Sequence, residues 1–425
     1  KVNGVETATV ATRTATQAPK VKVNGVETAT VVTEENLSKS DVVRYLEKHA
    51  SFPIALLCYN RPKELRSTIT SLLEARNVKR ENVLVLQDGS DAAVASVVQS
   101  FDLKLVQRTG SAMGIMGKDP GYRIASHYKF ALQKAMDEFP SAPGVLIVED
   151  DFFFSPDFME YFVHVAPAVD EDPTLWAASA WNDNGFPEST SHNNSKLLRT
   201  NYFPGLGWLL LRDIWEEIKT KWPSGGWDWY MRDPSVSKHR EVVYPEVNRV
   251  YHAGSVGSYM SLPVHHAYFE TIVMNKDESF HWPAGRPSSV MLDTYNSNLL
   301  RLVQSGIHIK RGVELLPGPH DIAGIAKIVW YVYNPMPANE HQFKPLAKEL
   351  NIWHQVLRSS HEGINQLYYK GQLVLLINVF EPQHHTGSKS WFKGYERQSP
   401  WVRYRPAAAT VFEPQALALE LTAAN

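Results

Sequence analysis

Residues 144–151 read GVLIVEDD, an apolar run closed by three adjacent carboxylates, Glu149, Asp150 and Asp151. A short apolar run without alternation has the pattern of a strand buried on both faces. Like charges crowded at its end repel, and they raise each other's pKa unless a cation sits among them. Hard oxygen ligands of this kind suit Mg or Mn, held by one or two carboxylates together with substrate phosphates. The bland alternative is a solvated acidic turn, so the surrounding sequence has to decide.

Upstream the same grammar repeats. PIALLCY (53–59) and ENVLVLQDG (81–89) read as buried strands, the second ending at Asp88, and LKLV (103–106) reads as a third. Helices are expected over 62–75, opened by Pro62, and over 91–99. Residues 121–138 carry an apolar face of helical period through Tyr122, Ile124, Ala125, Tyr128, Ala131, Leu132 and Ala135. Alternating strands and helices with fully apolar strands predict an α/β fold, a parallel sheet with helices on both faces. Ligands on such sheets bind beyond the carboxyl ends of the strands. Three strand ends here carry polar groups: Asn60-Arg61, Asp88 and the acidic triplet. Neither GxGxxG nor GxxxxGK[ST] occurs, so a nucleotide would be held by side chains and a metal.

The rest of the chain sets bounds. Its 425 residues are 44% hydrophobic and 21% charged, as in globular proteins. A net charge of −2 offers no global field for nucleic acid or an acidic membrane. Twelve Trp are many, and clustered Trp and Tyr line carbohydrate clefts as well as cores. Cys58 is the single cysteine, which rules out an intramolecular disulfide. No apolar stretch is long enough to span a bilayer. The decapeptide KVNGVETATV stands at 1–10 and again at 22–31, within a segment of no helical period. Residues 1–35 therefore read as a disordered, low-complexity stem or linker. A catalytic domain is expected over 36–315, starting at the capped helix NLSKSDVVRYL. A smaller α+β domain follows over 316–400, with a helix in FKPLAKELNIW and alternation in YYKGQLVLLINVF, and 401–425 form a peripheral tail.

The long motifs carry a resemblance. VLIVEDDFFFSPDFMEYF (145–162), LWAASAWNDNG (175–185), YFPGLGWLLLRDIWEEIKTKWP (202–223), WDWYMR (227–232) and YPEVNRVYHAG (244–254), in this order, resemble glycosyltransferase family 13, the β-1,2-N-acetylglucosaminyltransferases. The resemblance runs from about residue 50 to 382. It implies a GT-A fold, Rossmann-like in its nucleotide-sugar-binding part, with UDP-GlcNAc as donor, Mn2+ (or Mg2+) as cofactor and inversion at the anomeric carbon. It assigns the metal to Asp151, and the donor's ribose and GlcNAc hydroxyls to Glu149 and Asp150. Arg61, Asp88 and His127 match uridine-binding positions. Asp228 matches the general base that single-displacement inversion requires. Trp227, with Leu206 and Gly207 of the PGLGW turn, would pack on the acetamido group. Without the resemblance, Asp228 reads as an acid favoured at a helix N-terminus, and His127, Leu206 and Trp227 read as ordinary core.

The sequence also departs from the family. Tyr59, Gly89, Ala177 and Val242 stand where vertebrate members carry disulfide cysteines. The loop after His252-Ala253-Gly254, SVGSYMSLPVHH, differs from the family pattern, so the acceptor is the least determined feature. The resemblance implies a mannose-terminated glycan on a glycoprotein, and an O-mannosyl or other unusual glycan is the alternative. Two readings of other classes stand beside it, a carbohydrate-binding protein without turnover and a metal-dependent hydrolase. The Golgi, through an upstream type II membrane anchor, is the implied location, and the lack of disulfides allows the cytosol instead.

Overall fold

The structure, a computed structural model, describes residues 40–109, 119–257, 260–309, 325–331, 334–335, 338–339 and 343–378. The expected stem, the tail and the boundary at 315/316 lie outside the described residues, and the described residues form one compact unit. Each predicted strand and helix of the N-terminal half is present. The strands are β1 (Ile54–Cys58), β2 (Val83–Asp88), β3 (Lys104–Arg108) and β4 (Gly144–Glu149). The helices are α1 (Asp41–His49), α2 (Pro62–Glu74), α3 (Ala92–Ser100) and α4 (Pro120–Glu138). Their starts follow local chemistry. Ser40 caps α1 by accepting from the Val43 N–H at 3.1 Å, and Asp91 caps α3 through the Val94 N–H at 3.0 Å. Pro62 and Pro120 open α2 and α4, where a missing N–H costs nothing.

After β4 come β5 (Phe152–Phe154), α5 (Phe158–Glu171), β6 (Leu175–Ser179), β7 (Leu197–Thr200), β8 (Trp208–Leu211), α6 (Arg212–Ile218), α7 (Trp227–Arg232), β9 (Glu241–Pro245) and β10 (Val250–His252). Eight of these strands form one sheet in the order β3-β2-β1-β4-β8-β6-β9-β7. The expectation of a wholly parallel sheet needs refinement. β3, β2, β1 and β4 are parallel, but β8 runs antiparallel to both β4 and β6, and β7 runs antiparallel to β9. Apolar runs buried on both faces look alike in either direction, so hydropathy alone could not separate them. The mixed α/β sheet with its parallel half agrees with the GT-A expectation.

Strand order places the site. From β1 the chain moves outward to β2 and β3, then returns to lay β4 on the other side of β1. Such a reversal opens a crevice beyond the carboxyl ends of the two strands that flank it. β1 leads to Arg61 and β4 ends at Glu149, with Leu57 level with Glu149 across the pair. A separate two-stranded ribbon, β5 with β10, sets His252 opposite Phe152, directly after the triplet.

The tryptophans mostly build the interior. Trp176, Trp181, Trp208 and Trp215 are fully buried in one core with the strand residues of β1, β2, β4 and β6. A second sheet joins 307–309, 327–331, 372–378, 364–369 and 360–361, in that spatial order. The helix Phe343–Glu349 packs in one apolar cluster with Val329, Val374 and Leu376. The helix Leu292–Ser305 packs in another with Ile328, Leu375 and Ile377. Helical residues therefore pack with alternate residues of the same strands, as opposite faces of a sheet require. Among the described residues no helix is long and apolar enough to cross a membrane.

Candidate active site

The triplet at the end of β4 is mostly sequestered from water. Asp150 is 3% exposed and Asp151 7%. Arg61, the N-cap residue of α2, reaches across to donate to Asp151 Oδ2 at 2.7 Å and to Asp150 Oδ1. Burial pushes Asp150 up to about 6, with Arg61 opposing and Asp151 adding to the rise. Burial likewise pushes Glu149 up to about 7, reinforced by the charges of Asp151 and Asp150. The hydrogen bond from Tyr128 and the charge of Arg61 work the other way. One guanidinium is thus set against three carboxylates. Asp150 Oδ2 and Asp151 Oδ1 remain buried with no hydrogen-bond partner. Such oxygens are costly unless something fills the space between them.

α4 presents two adjacent residues to this region. Tyr128 donates its hydroxyl to Glu149 Oε1 at 2.6 Å. Its ring stacks on Trp227, with centroids 3.9 Å apart and planes at 20°. Trp227 in turn lies parallel to Trp208 and Trp222, at 6.0 and 6.5 Å. Burial raises the Tyr128 hydroxyl well above its ordinary pKa, and the charges of Glu149, Asp228 and Asp151 add to the effect. Asp228 therefore belongs to the same electrostatic neighbourhood as the triplet, although it comes from α7. Within α7, Arg232 donates to Asp228 Oδ2 at 2.5 Å, four residues on. Arg232 also donates to the Phe203 carbonyl and lies over the Tyr202 ring at 4.5 Å. Asp228 Oδ1 makes no hydrogen bond among the described residues, and its side chain is 36% exposed.

The other end of the crevice is lined by β2 and β3. Asp88 receives Arg108 at 2.6 and 3.0 Å and Arg123 at 3.3 Å. Arg123 also lies over the Tyr59 ring at 4.1 Å. His127, next to Tyr128 on α4, is paired through Nε2 with the Leu86 carbonyl at 3.0 Å, while its Nδ1 is buried without a partner. Burial lowers it to about 4, so the neutral ring is the stable form. The Cys58 thiol joins the two ends. Burial raises its pKa, with Asp150 and Asp88 adding and Arg61 opposing.

The chain thus brings Arg61, Asp88, His127, Glu149, Asp150, Asp151, Trp227 and Asp228 to one region from five separate segments. Leu206 sits in the turn before β8, half-buried against the same core, and Gly207 in that turn takes a φ of +64° that favours glycine. Sequence reading missed Tyr128 as a site residue, placing it only on an apolar helix face. It missed Arg232 as well, although Asp228 and Arg232 stand at i and i+4, a spacing that pairs charges on a helix. His252 had no local signal. Its Nε2 lies 3.7 Å from Asp151 Oδ1 only because β10 pairs with β5.

The residues fit a divalent cation in a particular sense. Among the described residues no three His, Cys, Asp or Glu side chains cluster as a complete metal cage. One buried carboxylate with a free oxygen suits a cation whose remaining ligands are phosphate and water, as is usual for Mg2+. Beside it the backbone is close. A Cβ at Gly254 would lie 2.2 Å from Asp151 Oδ2, so only glycine permits the ribbon to approach the carboxylate.

An α-1,3-mannosyl-glycoprotein 2-β-N-acetylglucosaminyltransferase of Arabidopsis thaliana is 30% identical over 368 residues, covering 81% of this chain and 78% of the relative. Among solved structures, S. aureus TarS 1–349 aligns with a TM-score of 0.33 at 14% identity, over 48% of this chain and 61% of that one. Glucosyl-3-phosphoglycerate synthase from Mycobacterium tuberculosis, in complex with Mn2+, UDP and phosphoglyceric acid, aligns with a TM-score of 0.26 at 13% identity, over 41% of this chain and 61% of that one. The GNT-I family model matches residues 9–398, and the chain belongs to the GNT-I family of N-acetylglucosaminyltransferases.

Proposed function

We propose that this chain transfers GlcNAc from UDP-GlcNAc to a mannose hydroxyl of a glycoprotein N-glycan, forming a β-1,2 linkage with inversion. The observation that carries the reading is that Tyr128 bonds Glu149 through its hydroxyl and stacks on Trp227, the chain neighbour of Asp228, at the crevice where strand order reverses. Nucleotide-sugar transfer needs a base on one side of the anomeric carbon and charge neutralisation on the other. Asp228 and the triplet supply that pair.

Asp228 takes the proton of the attacking mannose hydroxyl on Oδ1, because Arg232 already holds Oδ2. The mannose oxygen bonds to the anomeric carbon as the bond from that carbon to the phosphate oxygen breaks, and UDP leaves with the electron pair. A divalent cation, Mn2+ or Mg2+, would be held by Asp151 and would act as a Lewis acid on the leaving diphosphate. Asp150 and Glu149 accept hydrogen bonds from ribose and GlcNAc hydroxyls, and Tyr128 fixes the orientation of Glu149. Asp88 and His127 form the nucleobase end, steadied by Arg108 and Arg123. Trp227, wedged between Tyr128 and Trp208, is a rigid wall for the sugar with Leu206 nearby. The Golgi lumen, where N-glycans are trimmed and extended, is the setting we assign to this reaction.

The test is an acceptor comparison. With UDP-GlcNAc and Mn2+, a mannose-terminated N-glycan should gain one GlcNAc, and an O-mannosyl peptide should gain far less. Preferred transfer to the O-mannosyl peptide would reverse the acceptor assignment. UDP-GlcNAc binding with transfer to neither would refute both acceptors. Sugar release to water at the same rate with and without an acceptor would make the chain a hydrolase.

A further inference from the structure

We propose that Trp229 is the stacking platform for the acceptor sugar next to the mannose that reacts. The inference rests on the proposed function, with Asp228 as base, and adds to it a residue that selects among acceptors. Its basis is the unlike setting of the two tryptophans that flank Asp228 in WDWYMR. Trp227 is 8% exposed and lies stacked between Tyr128 and Trp208. Trp229 is 65% exposed, more than any other Trp, Tyr or Phe among the described residues. Single apolar residues on a surface need no explanation in themselves. This indole differs because it is held in place beside a reacting group. The Arg232 guanidinium lies 5.5 Å from its ring centroid and 4.5 Å from that of Tyr202. The same guanidinium donates to Asp228 Oδ2 at 2.5 Å. Arg232 stands at i+3 from Trp229 and i+4 from Asp228, the two spacings that meet on a helix surface. One cation shared by two rings and a carboxylate fixes their relative positions.

This placement selects the sugar. Arg232 occupies Asp228 Oδ2, which leaves Oδ1 for the reacting hydroxyl, and the partly exposed carboxylate is reached from the solvent side. One guanidinium separates the carboxylate from the indole. The sugar over Trp229 is therefore the neighbour of the one whose hydroxyl reaches Oδ1. A pyranose has an apolar C–H face and a rim of hydroxyls. A flat, exposed indole covers that face, leaves the rim in water and loses little conformational freedom in doing so. Gly226 adjoins the ring at a φ of +59° and puts no side chain there; a Cβ would stand 3.6 Å from Trp229 Cδ1. The three residues 227–229 thus act in order on donor sugar, reacting hydroxyl and acceptor glycan. A glycan of two or more sugars can use the platform, whereas an O-mannosyl peptide offers amino acids at that distance.

The experiment compares two acceptors, using the whole chain with Mn2+ and UDP-GlcNAc. Methyl α-mannoside holds one sugar, and a mannose-terminated N-glycan holds several. Trp229→Ala should raise KM for the N-glycan about tenfold and that for the mannoside far less. Trp229→Tyr should recover most of the loss. A second readout needs no turnover. In wild type carrying fluorinated tryptophan and loaded with Mg2+ and UDP, one fluorine NMR signal is missing from the Trp229→Tyr spectrum. That signal should move when the N-glycan is added and stay in place with methyl α-mannoside. A signal unmoved by saturating N-glycan overturns the proposal. Equal losses with both acceptors also overturn it, because Trp229 would then only steady Arg232 against Asp228. The parent reading is judged separately. If the wild type transfers to neither acceptor, the mannose assignment fails and the platform with it. If the wild type transfers to both and Trp229→Ala matches it, the platform alone is wrong.

Discussion

Gly254 shows how much a single residue can decide. It carries no functional group, yet a Cβ there would meet Asp151 Oδ2 at 2.2 Å and Asp151 Cγ at 2.9 Å. Asp151 cannot retreat without releasing Arg61, and Arg61 also holds Asp150. Gly254→Ala should therefore weaken Mn2+–UDP binding at least tenfold by calorimetry, while the fold, read by circular dichroism, stays intact. Unchanged binding would show that the ribbon has room to shift. The glycine was legible only as part of HAG, because what it approaches lies about a hundred residues upstream in sequence. Arg232 is the opposite case. Its partner is four residues away, so the pairing with Asp228 was open to sequence reasoning and needed only the helical spacing of WDWYMR.

At the scale of elements, the parallel half was readable for a physical reason. Short apolar runs bounded by polar residues, alternating with helical patterns, read as strands buried on both faces, and β1, β2 and β4 are buried over nearly all of their length. The direction of β8 and the pairing of β10 with β5 were not readable, since both depend on contacts between distant segments. α4 illustrates the mixture. Its apolar face was clear from period, but that face also delivers His127 and Tyr128 to the crevice. His127 gives the helix a pH signature. Burial lowers it to about 4 from an ordinary value of 6.5, so the folded state resists a proton that the unfolded chain accepts. The unfolded state binds more protons between these values. The stabilising effect is full above pH 6.5 and is lost as pH falls toward 4, and amounts to about 3 kcal/mol at most. Urea melts of wild type against His127→Asn should show a steeper loss for the wild type across that window. Parallel curves would show that another group titrates there.

At the scale of the molecule, a buried ionic network joins the main sheet to the segments beyond it. Arg199 on β7 is fully enclosed, bonded to Glu241 at 2.8 Å, Asp172 at 2.9 Å and the Val290 carbonyl at 2.7 Å. Glu241 also pairs with His361 at 2.7 Å, and His361 reaches Asn296 at 2.7 Å. Removing one member of such a network leaves its partners charged and buried, at about 3–5 kcal/mol. Arg199→Met should lower the free energy of unfolding by that amount in denaturant titration, and an effect below about 1 kcal/mol would mean that water reaches the network. None of this was visible in the sequence, where Arg199, Glu241 and His361 lie in unrelated segments. Family membership was visible, because the long motifs keep their order along the chain.

We propose Asp228 as the base of an inverting transfer whose donor is held at the triplet. Its most direct test is to incubate wild type and Asp228→Asn with UDP-GlcNAc, Mn2+ and a mannose-terminated N-glycan, and to read the product by NMR while measuring UDP binding in parallel. The wild type should give a β-linked GlcNAc on mannose. Asp228→Asn should bind Mn2+–UDP equally well and transfer about 10²- to 10⁴-fold more slowly. Transfer by Asp228→Asn at the wild-type rate would remove Asp228 as the base, and an α-linked product from the wild type would make the transfer retaining.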